Sequence, residues 1–394
     1  MDGTIRRNHE ETAMTVYDVL EMMYGFVLTT GIFDLSWRLV FMWCVGGFFL
    51  YLGIAKNYEP LLLLPIGFGI FIVNFPNVPL MGMNEQGVRN LIQIFYHYGL
   101  EWTVMPCVIF LGLGALTDFG PLIANPKMLL VGAGAQLGVF VTFTGTVLAG
   151  FTLKEAASVG IIGGAEGPTT IYLTQLLAPQ LLGPNALAAY SYMAMVPLIQ
   201  PPIMRWMTND SERRIRMRQL RPVSQREKIL FPLITAAVVA ILVPSVTPLM
   251  GMFMLGNLLR ESGVVGRLAE TAGGALMNVM IIFLALSIGA TMSADKFFHP
   301  RTLLVFGLGL ADFVVCTIGG ILTVKLMNLF LKEKINPLIG SAGVSAVPMS
   351  ARVSQKVGQE YDKSNYLLMH AMGPNLAGAI GAAAAAGMFI AMFQ

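Results

Sequence analysis

Of the 394 residues, 55% are hydrophobic and 12% charged, and the mean hydropathy is +0.69. A soluble globule carries about 25% charge, so that class is excluded; at about 20 residues per span the length admits about ten membrane crossings. The net charge of +3 says little about partners, because the basic residues concentrate in one loop.

In chain order, residues 1–15 are polar without a cleavable-signal pattern. Residues 14–30 read as an amphipathic or weakly spanning segment, and 37–54 as a clearer span closed by Lys56 and Glu59. Residues 61–75 are apolar up to Pro76 and Pro79, and 84–99 are only half apolar, as expected of an interfacial or re-entrant piece. Residues 103–116, 128–151 and 186–207 read as spans, with an interrupted stretch at 155–177 between the last two. Residues 208–228 then carry Arg213, Arg214, Arg216, Arg218, Arg221, Arg226 and Lys228. Such a run is a solvated loop obeying the positive-inside rule, which places it in the cytoplasm; an anionic-lipid or nucleic-acid patch is the lesser alternative.

From Ile229 the pattern restarts. Leu62-Leu-Leu-Pro65 answers to Ile229-Leu-Phe-Pro232, and residues 76–83 to 244–252. Pro126-Lys-Met-Leu-Leu-Val131 answers to Pro300-Arg-Thr-Leu-Leu-Val305, and Ala194-Met-Val-Pro197 to Ala371-Met-Gly-Pro374. The matches keep their order at offsets of about 170 to 180, the signature of a repeat. The expected divisions are an N-terminal segment with the first span or spans (1–58), a first repeat (59–207), the basic loop (208–228) and a second repeat (229–394). If the proline-interrupted opening segment of a unit crosses once, the unit has five crossings and the repeats are inverted; if it crosses twice, they are parallel. Paired interrupted helices favour the inverted plan. The expected fold is an all-α polytopic membrane protein of two repeats, about five helices each with one broken helix, plus an N-terminal span, in an elevator-like transporter architecture.

The organising stretch is Gly160-Ile-Ile-Gly-Gly-Ala-Glu-Gly-Pro-Thr169. At bilayer depth every backbone N–H and C=O needs an internal partner, so this composition is tolerable only inside protein or beside a water-filled cavity. A lone intramembrane acid, Glu166, points by default to an ion or proton site. Glu166, the carbonyls freed at Gly163, Gly164 and Gly167, and the hydroxyls of Thr169 and Thr170 form an oxygen set suited to a hard cation such as sodium. The second stretch, residues 336–352, adds Asn336, Gly340, Ser341, Ser345 and Ser350, and Arg352 as a fixed cation that could bind a substrate carboxylate. Close packing through small residues explains one such run; it is a poor account of two, each with a proline and at matching places. Asp312 is mid-span, a candidate secondary proton or sodium group. Tyr190 and Tyr192 read more readily as interface aromatics than as proton donors. Soluble chemistry is absent: there is no Gly-Lys-Ser/Thr phosphate loop, no Met-Lys-Met biotin-acceptor sequence, and His9, His97, His299 and His370 are scattered. Cys44, Cys107 and Cys316 lie in apolar runs without metal-type spacing.

These stretches, with Glu59-Pro-Leu-Leu-Leu-Leu-Pro-Ile-Gly-Phe68, residues 116–126, Ala189-Tyr-Ser-Tyr-Met-Ala194, residues 199–204 and 256–265, Asn336-Pro-Leu-Ile-Gly-Ser-Ala-Gly-Val-Ser-Ala-Val-Pro348 and His370-Ala-Met-Gly-Pro-Asn375, resemble the membrane β subunits of the biotin-dependent sodium-pumping decarboxylases of oxaloacetate, glutaconyl-CoA and methylmalonyl-CoA type. The resemblance implies a bacterial inner-membrane protein that decarboxylates carboxybiotin, consumes a proton and exports Na+. It implies a carboxyltransferase α subunit, a biotin carrier subunit, a small membrane γ/δ subunit, a trimeric homo-oligomer and no nucleic-acid partner. It places the family's essential acid on Glu166, its tyrosine on Tyr192, and its Asn, Gly, Ser and Arg on Asn336, Gly340, Ser345 and Arg352. At the Glu166 position the family's usual residue is Asp; glutamate keeps the charge and adds about 1.5 Å of reach. The rival reading is a sodium-coupled secondary transporter of the same plan with no enzymatic step; a passive channel fits less well.

Overall fold

A computed structural model describes residues 16–394; the polar residues 1–15 lie outside the described part. Among the described residues all regular secondary structure is helical, apart from a single antiparallel bridge between Met83 and Arg89.

The first half runs α1 (Val16–Thr29), α2 (Trp37–Lys56), α3 (Pro60–Val73), α4 (Leu91–Phe95), a π-helical stretch (Tyr96–Glu101), α5 (Val104–Leu116), α6 (Gly120–Ala124) and α7 (Met128–Leu148). It continues with α8 (Leu153–Gly160), a 3-10 turn (Ile161–Gly164), α9 (Gly167–Leu177) and α10 (Leu182–Met207). A short α11 (Asp210–Arg213) lies in the basic loop. The second half runs α12 (Gln225–Leu242), α13 (Thr247–Glu261), α14 (Gly266–Thr271), a π-helical stretch (Ala272–Leu276), α15 (Met277–Ala290), α16 (Ala294–Phe297) and α17 (Pro300–Phe330). A 3-10 segment (Pro337–Gly343), α18 (Met349–Tyr361) and α19 (Leu368–Phe393) complete it.

Local chemistry sets the starts. Thr152 with Glu155, Asn209 with Glu212 and Ser224 with Glu227 form reciprocal capping boxes that satisfy the first free N–H groups of α8, α11 and α12. Pro60 and Pro300 open α3 and α17, where the missing proline N–H costs nothing. Among the described residues five helices are long and apolar enough to cross a membrane, or six if the pair Leu91–Glu101 and Val104–Leu116, bent by 65°, counts as one.

Packing follows a pattern of exchanged partners. α3 lies along α15 and α13 along α5; α19 lies along α7 and α10 along α17; α7 and α17 lie along each other. Glycines let the backbones close: a Cβ on Gly114 would strike the Phe253 carbonyl, and one on Gly256 the Leu111 carbonyl. Of the sequence matches, Pro126 and Pro300 stand at the heads of α7 and α17, and Pro197 and Pro374 lie inside α10 and α19. The match of 76–83 with 244–252 does not share a conformation: the first is an irregular loop, the second turns directly into α13.

The two interrupted segments approach from opposite ends of α17, a helix of 31 residues. The base of the first is tied to the head of α17 by Arg301, which donates to Glu155 at 3.2 Å. The base of the second is tied to its tail by Asn328, which donates to the Ile335 carbonyl at 2.7 Å and accepts from the Ile335 N–H at 2.8 Å.

The basic loop is more structured than a solvated run. Arg213 is buried; its guanidinium lies 4.6 Å from the centre of the Tyr361 ring and donates to Asp210 at 2.8 Å and Thr208 at 2.9 Å. Arg216 pairs with Asp362, whose carboxyl is pulled down to about 2 by the hydroxyl and N–H of Ser364 and then by Arg216. A carboxyl depressed in the fold stabilises it above the ordinary carboxylate range, near 4, and that contribution is lost as pH falls towards about 2. A spin label on Gln219→Cys is therefore expected to gain mobility as pH falls from 4 to 2, and Asp362→Asn to show that mobility already at pH 7. An unchanged label down to pH 2 would contradict the clamp.

Candidate functional site

Gly160-Ile-Ile-Gly-Gly-Ala ends one half-helix because Ala165 turns left-handed (φ 50°), and Pro168 starts the next in its first turn. Glu166 is left between the halves, 5% exposed. In the second segment, Pro337–Gly343 stays 3-10, and extended residues from Val344 lead to the cis Val347–Pro348 peptide and α18.

The tips meet. The Ser345 N–H donates to the Gly164 carbonyl at 2.8 Å, and the Ser345 hydroxyl donates to Glu166 Oε2. Thr170 Oγ1 donates to the Glu166 carbonyl at 2.9 Å. On the other side of the first tip, the Gly163 N–H donates to Asp312 Oδ2 at 2.7 Å, and Cys316 donates to Asp312 Oδ1 at 3.4 Å. Asp312 is thus a fully buried acceptor for a freed backbone N–H, and Cys316 a donor to it rather than a small packing residue alone.

Other expected site residues take different places. Asn336 caps the 3-10 segment by accepting from the Leu338 N–H at 3.0 Å, and its amide donates to the carbonyls of Arg213 and Ile215 at 2.9 and 2.8 Å. Its hydrogen-bonding capacity goes to the basic loop, not to Glu166. Gly340 serves a close crossing, because a Cβ there would lie 2.5 Å from the Gly320 carbonyl of α17. Ser341 bonds the Leu338 carbonyl at 2.9 Å and Ser354 at 3.0 Å. Tyr192 donates to the Phe306 carbonyl at 2.5 Å and rests on Gly309. Arg352, in the first turn of α18, is exposed. It lies within electrostatic reach of Glu59, a half-buried carboxyl raised by burial and drawn back by that guanidinium.

Among the buried polar atoms without a hydrogen-bond partner in the described residues are Thr169 Oγ1, Tyr190 OH and Asn375 Oδ1 near the tips. Tyr190 is the residue whose ring fills the space a side chain at Gly167 would need. Asn375 donates to the Ala342 and Val344 carbonyls at 3.0 and 2.9 Å, which leaves its oxygen beside the second tip. Sequence reading missed Asn375, although it stands in the quoted Gly-Pro-Asn motif; an Asn in a 26-residue apolar helix with an internal proline was the signal. It ranked Tyr190 as an interface aromatic because hydropathy does not say which tyrosine faces the protein.

A carboxylate with one hydroxyl partner in an apolar interior requires a cation or a proton. The oxygens around the tip junction fit a hard, weakly charged ion.

The family model for the Na+-transporting oxaloacetate decarboxylase beta subunit matches residues 38–393. The chain belongs to that family. It is 51% identical to the methylmalonyl-CoA decarboxylase subunit beta of Propionigenium modestum, over 95% of this chain and 100% of the relative. It is 53% identical to the glutaconyl-CoA decarboxylase subunit beta of Acidaminococcus fermentans, over 92% and 95%. It is 48% identical to the oxaloacetate decarboxylase beta chain of Klebsiella pneumoniae, over 94% and 99%. This beta subunit is a multi-pass membrane protein of a Na+-transporting decarboxylase, and as a beta subunit it works within a multi-subunit complex.

Proposed function

We propose that Glu166 and Ser345, at the junction of two interrupted helices, hold Na+ and then a proton in alternation, and that decarboxylation of carboxybiotin drives the exchange. The observation that carries this reading is the direct bonding of the tips, Ser345 to both Glu166 and Gly164, amid buried oxygens. Moving one charge against 100 mV costs about 2.3 kcal/mol, so export needs a downhill step. Carboxybiotin is the substrate, presented by a carrier on another subunit. Exposed Arg352 is suited to orient its carboxylate, because a guanidinium matches a carboxylate with two parallel N–H donors. Protonation of Glu166 discharges the site and weakens its hold on the cation; Tyr190, whose ring lies against Gly167, the residue after Glu166, is the tyrosine placed to share that proton.

The recurring order of elements supports two inverted repeats, with α2 answering to α12, α3 to α13, each π-containing helix to the other, α7 to α17 and α10 to α19. On this pairing the first unit would begin at Trp37 rather than at residue 59, and the match of Leu62–Pro65 in α3 with Ile229–Pro232 in α12 would not join equivalent helices. α7, α10, α17, α19 and both interrupted segments would slide as one body against α2, α3, α5, α12, α13 and α15, an elevator-like motion. Positive charge at 208–228 orients that end to the cytoplasm of a bacterial inner membrane. Partners are a carboxyltransferase α subunit, the biotin carrier, a small membrane γ/δ subunit and further copies of this chain in a trimer.

The test is proteoliposomes holding the whole complex. Substrate should drive Na+ movement that avidin, or omission of the biotinylated subunit, stops. Na+ movement indifferent to both would leave a plain sodium-coupled transporter and overturn the enzymatic role.

A further inference from the structure

We infer that Gln136 is a neutral ligand of the transported cation, an assignment that rests on the sodium site at the tip junction. Gln136 lies in the middle of α7 and is 3% exposed. Neither Oε1 nor Nε2 has a hydrogen-bond partner among the described residues. A buried amide left unpaired at both ends loses its hydration without return, and such a group is retained where something outside the chain completes it.

Two elements make room for this side chain. A Cβ on Gly164, in the first tip, would lie 2.9 Å from Gln136 Oε1; a Cβ on Gly381, in α19, would lie 3.0 Å from Gln136 Cγ. Any larger residue at either position would push the amide out. Gly164 is two residues from Glu166, and its carbonyl is the one that accepts from Ser345. The amide oxygen therefore lies against the first tip, two residues along the chain from the carboxylate.

An amide oxygen is a hard, uncharged donor of the kind that completes carboxylate-based sites for hard cations. Neutrality suits a site that must release its ion: an amide at Gln136 adds no charge of its own to hold the cation once Glu166 takes a proton, whereas a carboxylate in its place would. The Nε2 end is free to donate to a water that the ion retains, and a half-turn of the amide exchanges the two ends.

Gln136→Met keeps length and apolar volume while deleting both polar atoms, and Gln136→Leu does so with a different shape. The full chain in lipid nanodiscs is melted in choline chloride and in a NaCl series, and 22Na+ binding is measured on the same samples. Without sodium the Met variant should melt at or above the wild-type temperature, because no protein hydrogen bond is lost. The half-saturating Na+ concentration for stabilisation and for binding should rise about tenfold or more. A lower sodium-free Tm with an unchanged sodium response would mean a packing role and overturn the inference, as would wild-type behaviour in both variants. Glu166→Gln run alongside separates the failures. If it abolishes the sodium response while Gln136→Met does not, the inference alone fails; if it leaves the response intact, the tip-junction site fails and the inference with it.

Discussion

Glu166→Gln should abolish sodium-dependent decarboxylation and sodium transport together, by about 100-fold or more, equivalent to ~2.7 kcal/mol of lost transition-state stabilisation. The amide keeps the shape and still accepts from the Ser345 hydroxyl, so the tips remain joined. What it removes is the charge that, on the proposed mechanism, draws a cation into an apolar interior and the group that would exchange it for a proton. Glu166→Asp is a graded companion. It draws the carboxylate back by about 1.5 Å, so sodium dependence should persist with a shifted half-saturation, while Ser345→Ala should weaken sodium without erasing it. Turnover measured against Na+ concentration in the reconstituted complex decides the matter, and Glu166→Gln activity stimulated by Na+ as in the wild type would end the case for this residue.

Gly163→Ala should cripple the protein through sterics alone. The added methyl would fall on the Asp312 carboxyl group, a fully buried side chain of α17 that the Gly163 N–H itself bonds. Neither party can yield. The tip is held from the other side by Ser345 on Gly164, and Asp312 stands in the middle of a helix packed along α7. Overpacking of this kind costs about 1–3 kcal/mol, read as an earlier thermal transition in nanodiscs, and any tilt of the tip misplaces Glu166, so turnover should fall about tenfold or more. Gly251→Ala, in α13, is the control: an added Cβ there meets nothing within 4 Å, and alanine favours the helix. Equal effects at the two positions would show that the first tip is not the tight spot described.

Much of this site was legible in residue order because its chemistry is local. Pro168 and the Gly163–Gly164 pair cannot continue a helix, and a charge at 166 between apolar runs has few uses in a membrane. The same reading grouped Asn336, Gly340 and Ser341 with Glu166, since all are small or polar residues of the second interrupted stretch. In the fold they face three ways: Asn336 to the basic loop, Gly340 to Gly320, Ser341 to Ser354. A short-range pattern identifies a polar residue but not its partner.

By itself, then, the sequence determined an all-helical membrane chain, the places where its helices stop and restart, and the one acid that such a stop could expose. Those follow from hydropathy and backbone conformation, which act over a few residues. Only the tertiary structure decided that Ser345 meets Glu166 across 179 positions, that Asp312 takes the N–H of Gly163 across 149, and that Tyr190 rather than Tyr192 stands beside the first tip. Away from water a polar group must find its partner within the protein, and which partner it finds is settled by how distant helices cross.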